Sequence, residues 1–282
     1  MNDKPDLSYF GLQAYVGTTK HMGGLDATVR LLAACSVDAG AYVLEVGCGA
    51  GATTSYLARE VGCRVMGVDL RESMVALARE RAEREGVRDR VDFRVASVLG
   101  LPFDANSFDV VLCESVATFV ADKARVAREL ARVVRPGGCV GLNEEVWLRA
   151  PPPAEMVDFV RHTWDIEGET PTAEGWMAML EDAGLEVTAQ TFQFDARRES
   201  TQMRRYRPYD MLRMAYRALA LYVRSAEFRR YMKGRGRMPR DLFEYWGYAL
   251  LVGRKGGAVE TAPGGLTTAS FSGAKEDKRD ER

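Results

Sequence analysis

Residues 42 to 51 read Tyr-Val-Leu-Glu-Val-Gly-Cys-Gly-Ala-Gly, and this stretch decides the fold. Its first half, Tyr42 to Val46, is largely apolar and rich in valine, which predicts a buried strand. Its second half, Gly47 to Gly51, has glycine at alternate positions and leads into a helical pattern near Thr53 to Val61. Such a turn lets backbone N–H groups and a helix N-terminus approach a ligand closely. Glycine-rich turns also close ordinary strand-to-helix connections, so the turn alone leaves both interpretations open.

Downstream of this turn, short β-branched runs alternate with helical patterns. The alternation predicts a doubly wound α/β domain, in which helices cover both faces of a mostly parallel sheet. The further strands are predicted at Arg64 to Asp69, Val91 to Val95, Phe108 to Leu112, Cys139 to Asn143, Val187 to Phe194 and Tyr245 to Val252. The further helices are predicted near Leu25 to Ala34, Glu72 to Glu85, Lys123 to Val134 and Thr172 to Gly184.

Two acidic residues indicate which ligand the turn receives. Glu45 stands at the start of the turn, where it would repel the pyrophosphate of a dinucleotide but suit a cationic ligand. Asp69 ends the second strand, where a doubly wound fold presents a carboxylate to ribose hydroxyls. Asp69 also precedes a predicted helix and could serve as its N-cap. The pair favours a ligand that has a ribose and a positive charge but no phosphate.

Several ordered motifs resemble the class I S-adenosylmethionine-dependent methyltransferases, especially their small-molecule branch. The motifs are Val43-Leu-Glu-Val-Gly-Cys-Gly-Ala-Gly51, Gly67-Val-Asp69, Leu101-Pro-Phe-Asp104, Phe108-Asp-Val-Val111 and Leu130-Ala-Arg-Val-Val-Arg-Pro-Gly-Gly138. The resemblance covers residues 41 to 143. It implies a seven-stranded sheet with an antiparallel final strand, and S-adenosylmethionine as the cofactor at the carboxyl ends of the first strands.

The resemblance also implies roles for single residues. Glu45, Gly47 and Gly49 are expected around the methionine part, Asp69 on the ribose, and Leu70 and Met74 beside the adenine. Where many relatives have Asp-Ala before Leu-Pro-Phe, this chain has Ser97-Val98, so its hydrogen bond to the adenine should be weaker. The expected cofactor-binding residues are Glu45, Gly47, Cys48, Gly49, Gly51, Asp69, Leu70, Met74, Ser97, Val98 and Tyr15. Cys48 is interpreted as a small residue of the turn, and Tyr15 as a lid residue whose hydroxyl reaches the methionine carboxylate.

Methyl transfer from a sulfonium needs alignment and exclusion of water, and an acceptor that carries a proton also needs a base. Glu114 after the fourth strand is the first candidate, and His21 in the amino-terminal segment is another. Glu144 and Glu145, expected just after the fifth strand, are further candidates. An ion-paired or solvated acid, and a packed histidine, are the structural alternatives to these roles.

Composition describes the rest of the protein broadly. The 282 residues are 46% hydrophobic and carry a net charge of -1, as expected for a globular chain. The five cysteines lack disulfide or metal-ligand spacing, and the first residues lack an apolar signal core, which favours a cytoplasmic protein that binds no metal. Every apolar run is interrupted by charge well before the roughly 18 residues that a bilayer span needs.

The expected organisation is a helical cap (residues 1–40), a methyltransferase core (41–193 and 244–255), a basic and aromatic helical insertion between the last two strands (194–243), and a disordered tail (256–282). Between Ala196 and Arg240 the insertion has fourteen basic and three acidic residues. Within it, Leu212, Ala215, Leu219 and Tyr222 recur at helical spacing, with arginines on another face. This surface could bind a hydrophobic or anionic acceptor, an anionic membrane, a second copy of the chain or, less in keeping with its pattern, nucleic acid.

The predicted function is methyl transfer to a small-molecule acceptor, such as a quinone, a lipid or a compound like a natural product. Methylation of RNA or protein is the alternative. A nucleotide-binding subunit without activity and an NAD-dependent oxidoreductase are more distant alternatives, and Glu45 argues against the latter.

Overall fold

A seven-stranded sheet with the strand order β3-β2-β1-β4-β5-β7-β6 forms the centre of the protein. The computed structural model describes residues 7–234 and 238–257. Its strands are β1 (Tyr42–Val46), β2 (Arg64–Asp69), β3 (Val91–Val95), β4 (Phe108–Glu114), β5 (Val134–Trp147), β6 (Leu185–Gln193) and β7 (Trp246–Lys255). Strands β1 to β5 pair in parallel, whereas β7 runs antiparallel to both β5 and β6. The predicted seven-stranded, mostly parallel sheet with an antiparallel final strand is confirmed.

Helices cover both faces of this sheet. They are α1 (Tyr9–Val16), α2 (Gly24–Ala34), α3 (Ala52–Tyr56), α4 (Glu72–Glu85), α5 (Lys123–Val133), α6 (Ala154–Trp164), α7 (Ala173–Asp182), α8 (Ala196–Ser200), α9 (Pro208–Arg224), α10 (Ala226–Gly234) and α11 (Leu242–Tyr245). A π-helical turn, Leu57–Val61, continues α3, and short 3₁₀ turns lie at Ala117–Phe119 and Thr201–Arg205. The helices expected near 72–85 and 123–134 lie where the pattern predicts them.

Alternation along the strands divides the core into two layers. In β1, Leu44 and Val46 pack into one hydrophobic cluster, whereas Val43, which precedes Leu44, packs into the other. Successive side chains of a strand point to opposite faces, so one buried strand serves both layers. Leu130 and Trp176, from α5 and α7, complete the first layer. Because β1 is buried on both faces, its sequence is a nearly continuous apolar run.

The carboxyl ends of β1 and β4 lie at the point where the strand order reverses. From β1 the chain proceeds to β2 and β3 on one side, and β4 and β5 lie on the other. Loops that leave neighbouring strands in opposite directions open a crevice, and ligands of doubly wound folds bind in it. The glycine turn after β1 and Glu114 at the end of β4 are therefore brought to the same crevice.

The insertion packs against the amino-terminal segment. Gly24 at the start of α2 lies so close to the backbone of Arg198 and to Thr201 that a side chain there would collide with them. Gln202 Nε2 donates to the carbonyl oxygen of Thr19 at 2.7 Å, and the Thr19 N–H donates to the hydroxyl of Tyr206 at 3.0 Å. These contacts join residues 17–24 to residues 198–206 above the sheet.

The position of Glu144 and Glu145 differs from the expected one. The fifth strand does not end at Asn143 but continues to Trp147, so both glutamates lie within it. The reason is the antiparallel pairing with β7, which aligns Glu144 with Ala249 and Glu145 with Tyr248. That pairing joins residues about a hundred positions apart and has no local signal in the sequence.

Two broader expectations concern the membrane and the tail. Within residues 7–234 and 238–257, no helix combines the length and the apolar character that crossing a bilayer requires. The tail expected at 256–282 lies, from residue 258 onward, outside the described residues. All five cysteines have free, buried thiols.

Candidate cofactor and acceptor site

A cavity of about 530 Å³ opens at the carboxyl ends of β1, β2 and β4. Its volume lies in the range of small-molecule sites. Predicted residues that line it are Glu45, Gly47, Cys48, Gly49, Asp69, Leu70, Met74, Ser97, Val98, Glu114 and His21. The three segments that follow β1, β2 and β4 supply most of them, as the doubly wound topology requires.

The glycine turn has the close approach that its sequence indicates. Gly47, Gly49 and Gly51 all have positive φ angles, which residues with a side chain rarely adopt. A Cβ at Gly47 would collide with Val116, and one at Gly49 would collide with Thr19. The first two glycines therefore leave room inside the site for neighbouring segments.

Gly51 has different neighbours from Gly47 and Gly49. It does not line the cavity, and a Cβ there would lie 2.8 Å from the Cβ of Ala78 in α4. Its small size allows α3 to pack closely on α4. The structure thus assigns Gly51 to helix packing rather than to the lining of the cavity.

Glu45 lies in the buried wall of the cavity. Its carboxylate accepts a hydrogen bond from the hydroxyl of Thr54 in α3. Burial raises the pKa of Glu45 to about 8, while the Thr54 hydrogen bond and the nearby Arg205 oppose the shift. Removal from water disfavours the ionised carboxylate unless a positive charge compensates it. The ionised carboxylate of Glu45 would therefore stabilise a cationic ligand group beside it.

Asp69 connects the second strand to the glycine turn. One carboxylate oxygen accepts from the Gly49 N–H at 2.9 Å, and the other accepts from the Arg71 N–H at 2.9 Å. Arg71 precedes α4, so Asp69 organises the approach to this helix without capping its first turn. Each carboxylate oxygen of Asp69 can accept a second hydrogen bond. Burial raises the pKa of Asp69, and the two backbone hydrogen bonds oppose that shift.

The far end of the cavity is more apolar. Met74 and Val98 are buried in its wall, and the side chain of Leu70 lies exposed at its edge. The Ser97 hydroxyl accepts from the Leu99 N–H at 3.2 Å, and Ser97 itself lines the cavity. These four residues line the same cavity as Asp69, and their contact with an adenine stays a prediction.

Glu114 and His21 meet at the opposite side of the cavity. The Thr28 hydroxyl lies 3.1 Å and 3.0 Å from the two carboxylate oxygens of Glu114, and the Asn143 amide lies 3.4 Å from one of them. His21 Nδ1 lies 3.7 Å from the same carboxylate. Burial lowers the pKa of His21, although the Glu114 charge opposes this shift. The sequence separates these groups widely, and the structure brings them into one polar cluster.

Arg205 is a cavity residue that the sequence pattern does not distinguish from its basic neighbours. It is buried, and its Nη1 donates to the Thr53 hydroxyl at 2.6 Å and to Nε2 of His21 at 2.9 Å. Its Nε and Nη2 have no hydrogen-bond partner among the described residues. A buried guanidinium with free donors is costly unless a ligand acceptor satisfies it. The site therefore has an unsatisfied cation beside buried Glu45.

Glu144 has a structural role. Its carboxylate accepts from the backbone N–H groups of Val116, Ala117 and Thr118, at 3.1, 3.0 and 2.8 Å. It thereby holds the loop after β4, which lines the cavity. Burial beside Glu145 raises the pKa of Glu144. Neither glutamate lines the cavity, so neither is available as the base considered from sequence.

The lid expected from the amino-terminal segment is formed by other residues than Tyr15. Phe10 and Gln13 of α1 line the cavity, and Phe10 packs edge-to-face on Phe119 with ring centroids 4.7 Å apart. Tyr15 does not line the cavity. Arg205 and Thr53, which no motif identified, contribute polar groups to the lining of the cavity.

Comparison with known proteins identifies a methyltransferase domain in this chain. Residues 44–142 match a family described as a methyltransferase domain. Methyltransferase GfsG of Streptomyces halstedii is 38% identical over 42% of this chain and 43% of its own length. An uncharacterised Haemophilus influenzae protein is 31% identical over 61% of this chain and 69% of its own. The 27-O-demethylrifamycin SV methyltransferase of Amycolatopsis mediterranei is 33% identical over 56% of this chain and 59% of its own.

The chain thus spans less than two thirds of the length of two of these three relatives. A solved structure of Haemonchus contortus phosphoethanolamine N-methyltransferase 2, in complex with phosphomonomethylethanolamine and S-adenosylhomocysteine, shares the fold with a TM-score of 0.67. It is 18% identical, and the match covers 87% of this chain and 57% of the other. The strand order, the ordered motifs and the matched domain lead to one assignment. This chain belongs to the family of class I S-adenosylmethionine-dependent methyltransferases.

Proposed function

We propose that this protein transfers the methyl group of S-adenosylmethionine to a small-molecule acceptor bound beside Glu114. One observation carries the proposal: Glu45, Asp69 and Arg205 line a single cavity. Glu45 and Arg205 carry charges opposite to those of the ammonium and the carboxylate of that cofactor, and Asp69 can accept hydrogen bonds from its ribose hydroxyls. The pyrophosphate of a dinucleotide would be repelled by a carboxylate at Glu45, which disfavours the oxidoreductase alternative.

The residues present fit the cofactor. Glu45 would hold the ammonium, Asp69 the ribose hydroxyls, and Arg205 would offer its two free donors to the carboxylate. Leu70, Met74, Ser97 and Val98 line the cavity and would surround the adenine. When bound, S-adenosylmethionine supplies a methyl group activated by a positively charged sulfur.

The residues around the reaction centre act by positioning and by excluding water. Phe10 and Phe119 pack together over the cavity, and the α1–α2 connection covers the glycine turn through Thr19. Exclusion of water strengthens the electrostatic contacts inside the site. Held between Thr28 and Asn143, the Glu114 carboxylate has a fixed orientation in which it could accept a proton from an acceptor hydroxyl or ammonium.

His21 is less available as a base than Glu114. Arg205 has only N–H donors, so Nε2 of His21 must be the acceptor in their hydrogen bond and the ring proton lies on Nδ1. For His21 to accept a proton, Arg205 must first leave Nε2. We therefore propose Glu114 as the catalytic base and His21 as the residue that positions Arg205 and Glu114.

The acceptor that this site favours is hydrophobic, because Val116, Phe119 and Val120 give the cavity an apolar wall. Lys20 would favour an anionic group on the acceptor, whereas Asp122 and Glu167, which also line the cavity, would oppose one. The Amycolatopsis relative, by its name, methylates a demethylrifamycin, which agrees with an acceptor that resembles a natural product, a quinone or a lipid. The proposed acceptor site and the cofactor site lie in one cavity, which suits a small-molecule acceptor better than RNA or a protein.

A transfer experiment tests the proposal. Purified protein is incubated with cofactor labelled in the methyl group and with fractionated cell extract, and label is followed into small molecules, lipids, RNA and protein. We expect label in the small-molecule or lipid fraction, and none with the Asp69→Ala variant. Label confined to RNA or protein would contradict the acceptor class. Calorimetry that detects binding of NAD but not of S-adenosylmethionine would contradict the cofactor.

A further inference from the structure

Helix α9, in the insertion, packs on the rest of the protein through its polar side. Asp210 is buried and forms ion pairs with Arg81, at 3.0 Å, and with Arg84. Farther along the helix, Arg217 Nη1 donates to the carbonyl oxygen of Tyr15 at 3.2 Å. Arginines on the predicted polar face are thus turned towards α1 and α4.

The opposite side of α9 is apolar and faces solvent. Leu212, Tyr216, Leu219 and Val223 are 71%, 65%, 63% and 65% exposed. Their spacing of four, three and four residues places them on one stripe of the helix. A surface helix of a globular protein normally has the reverse arrangement, with the apolar stripe buried. An exposed apolar stripe of this kind marks an interaction surface.

Exposed basic residues outnumber exposed acidic ones in the segments next to this stripe. Among the described residues from 203 to 240, a single acidic side chain, Glu227, is exposed. The exposed basic side chains in the same range are Arg204, Arg207, Arg224, Arg230, Lys233 and Arg240. The partner that complements this surface is therefore apolar and negatively charged.

A second copy of the chain fits these features poorly. A two-fold dimer would place the stripe against itself and bring the basic residues of both copies together. A head-to-tail contact would need an apolar counterpart elsewhere. Outside the insertion, the exposed large apolar residues of the described chain are Val29, Leu70 and Val95, and Leu70 lines the cavity.

We infer that the apolar stripe of α9, with its basic surroundings, binds the surface of an anionic lipid bilayer. Amphipathic helices with apolar residues on one side and basic residues beside them lie in the interface of such membranes. Helix α1 packs between α9 and the cavity, since Arg217 binds Tyr15 and Phe10 lines the cavity. Docking would hold the cavity close to the bilayer. The inference does not depend on methyl transfer.

The test is vesicle binding by the full chain. Sucrose-loaded vesicles of phosphatidylcholine, alone or with phosphatidylglycerol, are sedimented with the protein at low and high salt, without cofactor. We expect binding to the anionic vesicles that weakens at high salt, and little binding to the neutral ones. The double variant Leu212→Gln/Leu219→Gln should reduce the partition coefficient by about tenfold or more, because both side chains would otherwise enter the interface.

Val29→Gln is the matched control, because Val29 is an exposed apolar residue on α2. It should bind vesicles as the unaltered protein does. All variants should bind S-adenosylmethionine with unchanged affinity, which separates this test from that of the proposed function. Absence of vesicle binding, equal binding to neutral vesicles, or a stable dimer that the double variant dissociates would each overturn the inference.

Discussion

Arg205 Nη1 donates a hydrogen bond of 2.9 Å to Nε2 of His21, although 184 residues separate them. The contact joins the insertion to the α1–α2 connection at the wall of the cavity. It leaves Nε and Nη2 of Arg205 without a partner among the described residues. Two segments that lie on opposite sides of the glycine turn in the sequence thus meet in the wall of one cavity.

Replacement of Arg205 tests its role as the receptor of the cofactor carboxylate. Arg205→Met should weaken binding of S-adenosylmethionine by roughly 10- to 100-fold, because a charge-assisted hydrogen bond contributes about 1.5–3 kcal/mol. Binding of decarboxylated S-adenosylmethionine should be unaffected. Isothermal titration calorimetry with both ligands measures the difference.

Arg204→Met is the control for this prediction, because Arg204 is the adjacent arginine but is exposed. It should bind both ligands as the unaltered protein does. An equal loss of affinity for the two ligands in Arg205→Met would assign Arg205 to the general stability of the site instead.

Binding of S-adenosylmethionine should release a proton from Glu45. The pKa of Glu45 in the folded protein is about 8, above its ordinary value of 4.5, so this carboxyl is mostly protonated at neutral pH. The ligand ammonium favours the ionised form, which lowers the pKa in the complex. Affinity should therefore rise with pH up to about 8 and level off above it.

Calorimetry in buffers of different ionisation enthalpy measures the released protons. Close to one proton should be released at neutral pH. Glu45→Gln should release none and should lose the pH dependence in this range. Proton release that is the same in Glu45→Gln would show that another group titrates.

Removal of Glu144 should destabilise the loop after β4. Glu144→Ala leaves the buried N–H groups of Val116, Ala117 and Thr118 without their acceptor. We expect the free energy of unfolding to fall by about 2–4 kcal/mol, as for the loss of a buried hydrogen-bond network. Denaturant unfolding gives the value, with Glu155→Ala, an exposed glutamate, as control. A change below about 0.5 kcal/mol would argue against this role.

Replacement of Glu114 should separate turnover from cofactor binding. Glu114→Gln keeps the shape of the side chain but removes the proton acceptor, so turnover should fall by about 10²- to 10⁴-fold while the affinity for S-adenosylmethionine stays nearly constant. Single-turnover rates with an identified acceptor and calorimetry measure the two effects. Glu169→Gln, at an exposed position, should change neither. Unchanged turnover in Glu114→Gln would remove Glu114 as the base.

The glycine turn and the cavity residues near the first two strands were largely predictable from sequence. Gly47 and Gly49 have the positive φ angles that a tight turn requires, and Asp69 binds the turn through the Gly49 N–H. Gly51 shows the limit of this reasoning. A glycine that permits a ligand to approach and one that permits two helices to pack look the same in the sequence, and only the contact with Ala78 distinguishes them.

Which side of α9 faces the rest of the protein could not be predicted, for a similar reason. The sequence correctly indicates an amphipathic helix, but its apolar side is normally the buried one. The ion pairs between Asp210 and the arginines of α4 turn the polar side inward instead. Those pairs join residues more than a hundred positions apart, so no local pattern records them.

The sequence by itself determined the order of the seven strands and of the helices between the first five, the glycine turn and the two acids beside it, because each depends on neighbouring residues and on periodicities of two or 3.6 positions. The tertiary structure decided that Arg205 rather than Tyr15 lines the cavity, that Glu144 lies within β5, and that Glu114 meets Thr28 and His21. These outcomes depend on the pairing of β5 with β7 and on the packing of the insertion over the amino-terminal segment. Such contacts join segments that are distant in the sequence, and they form only when the sheet has formed.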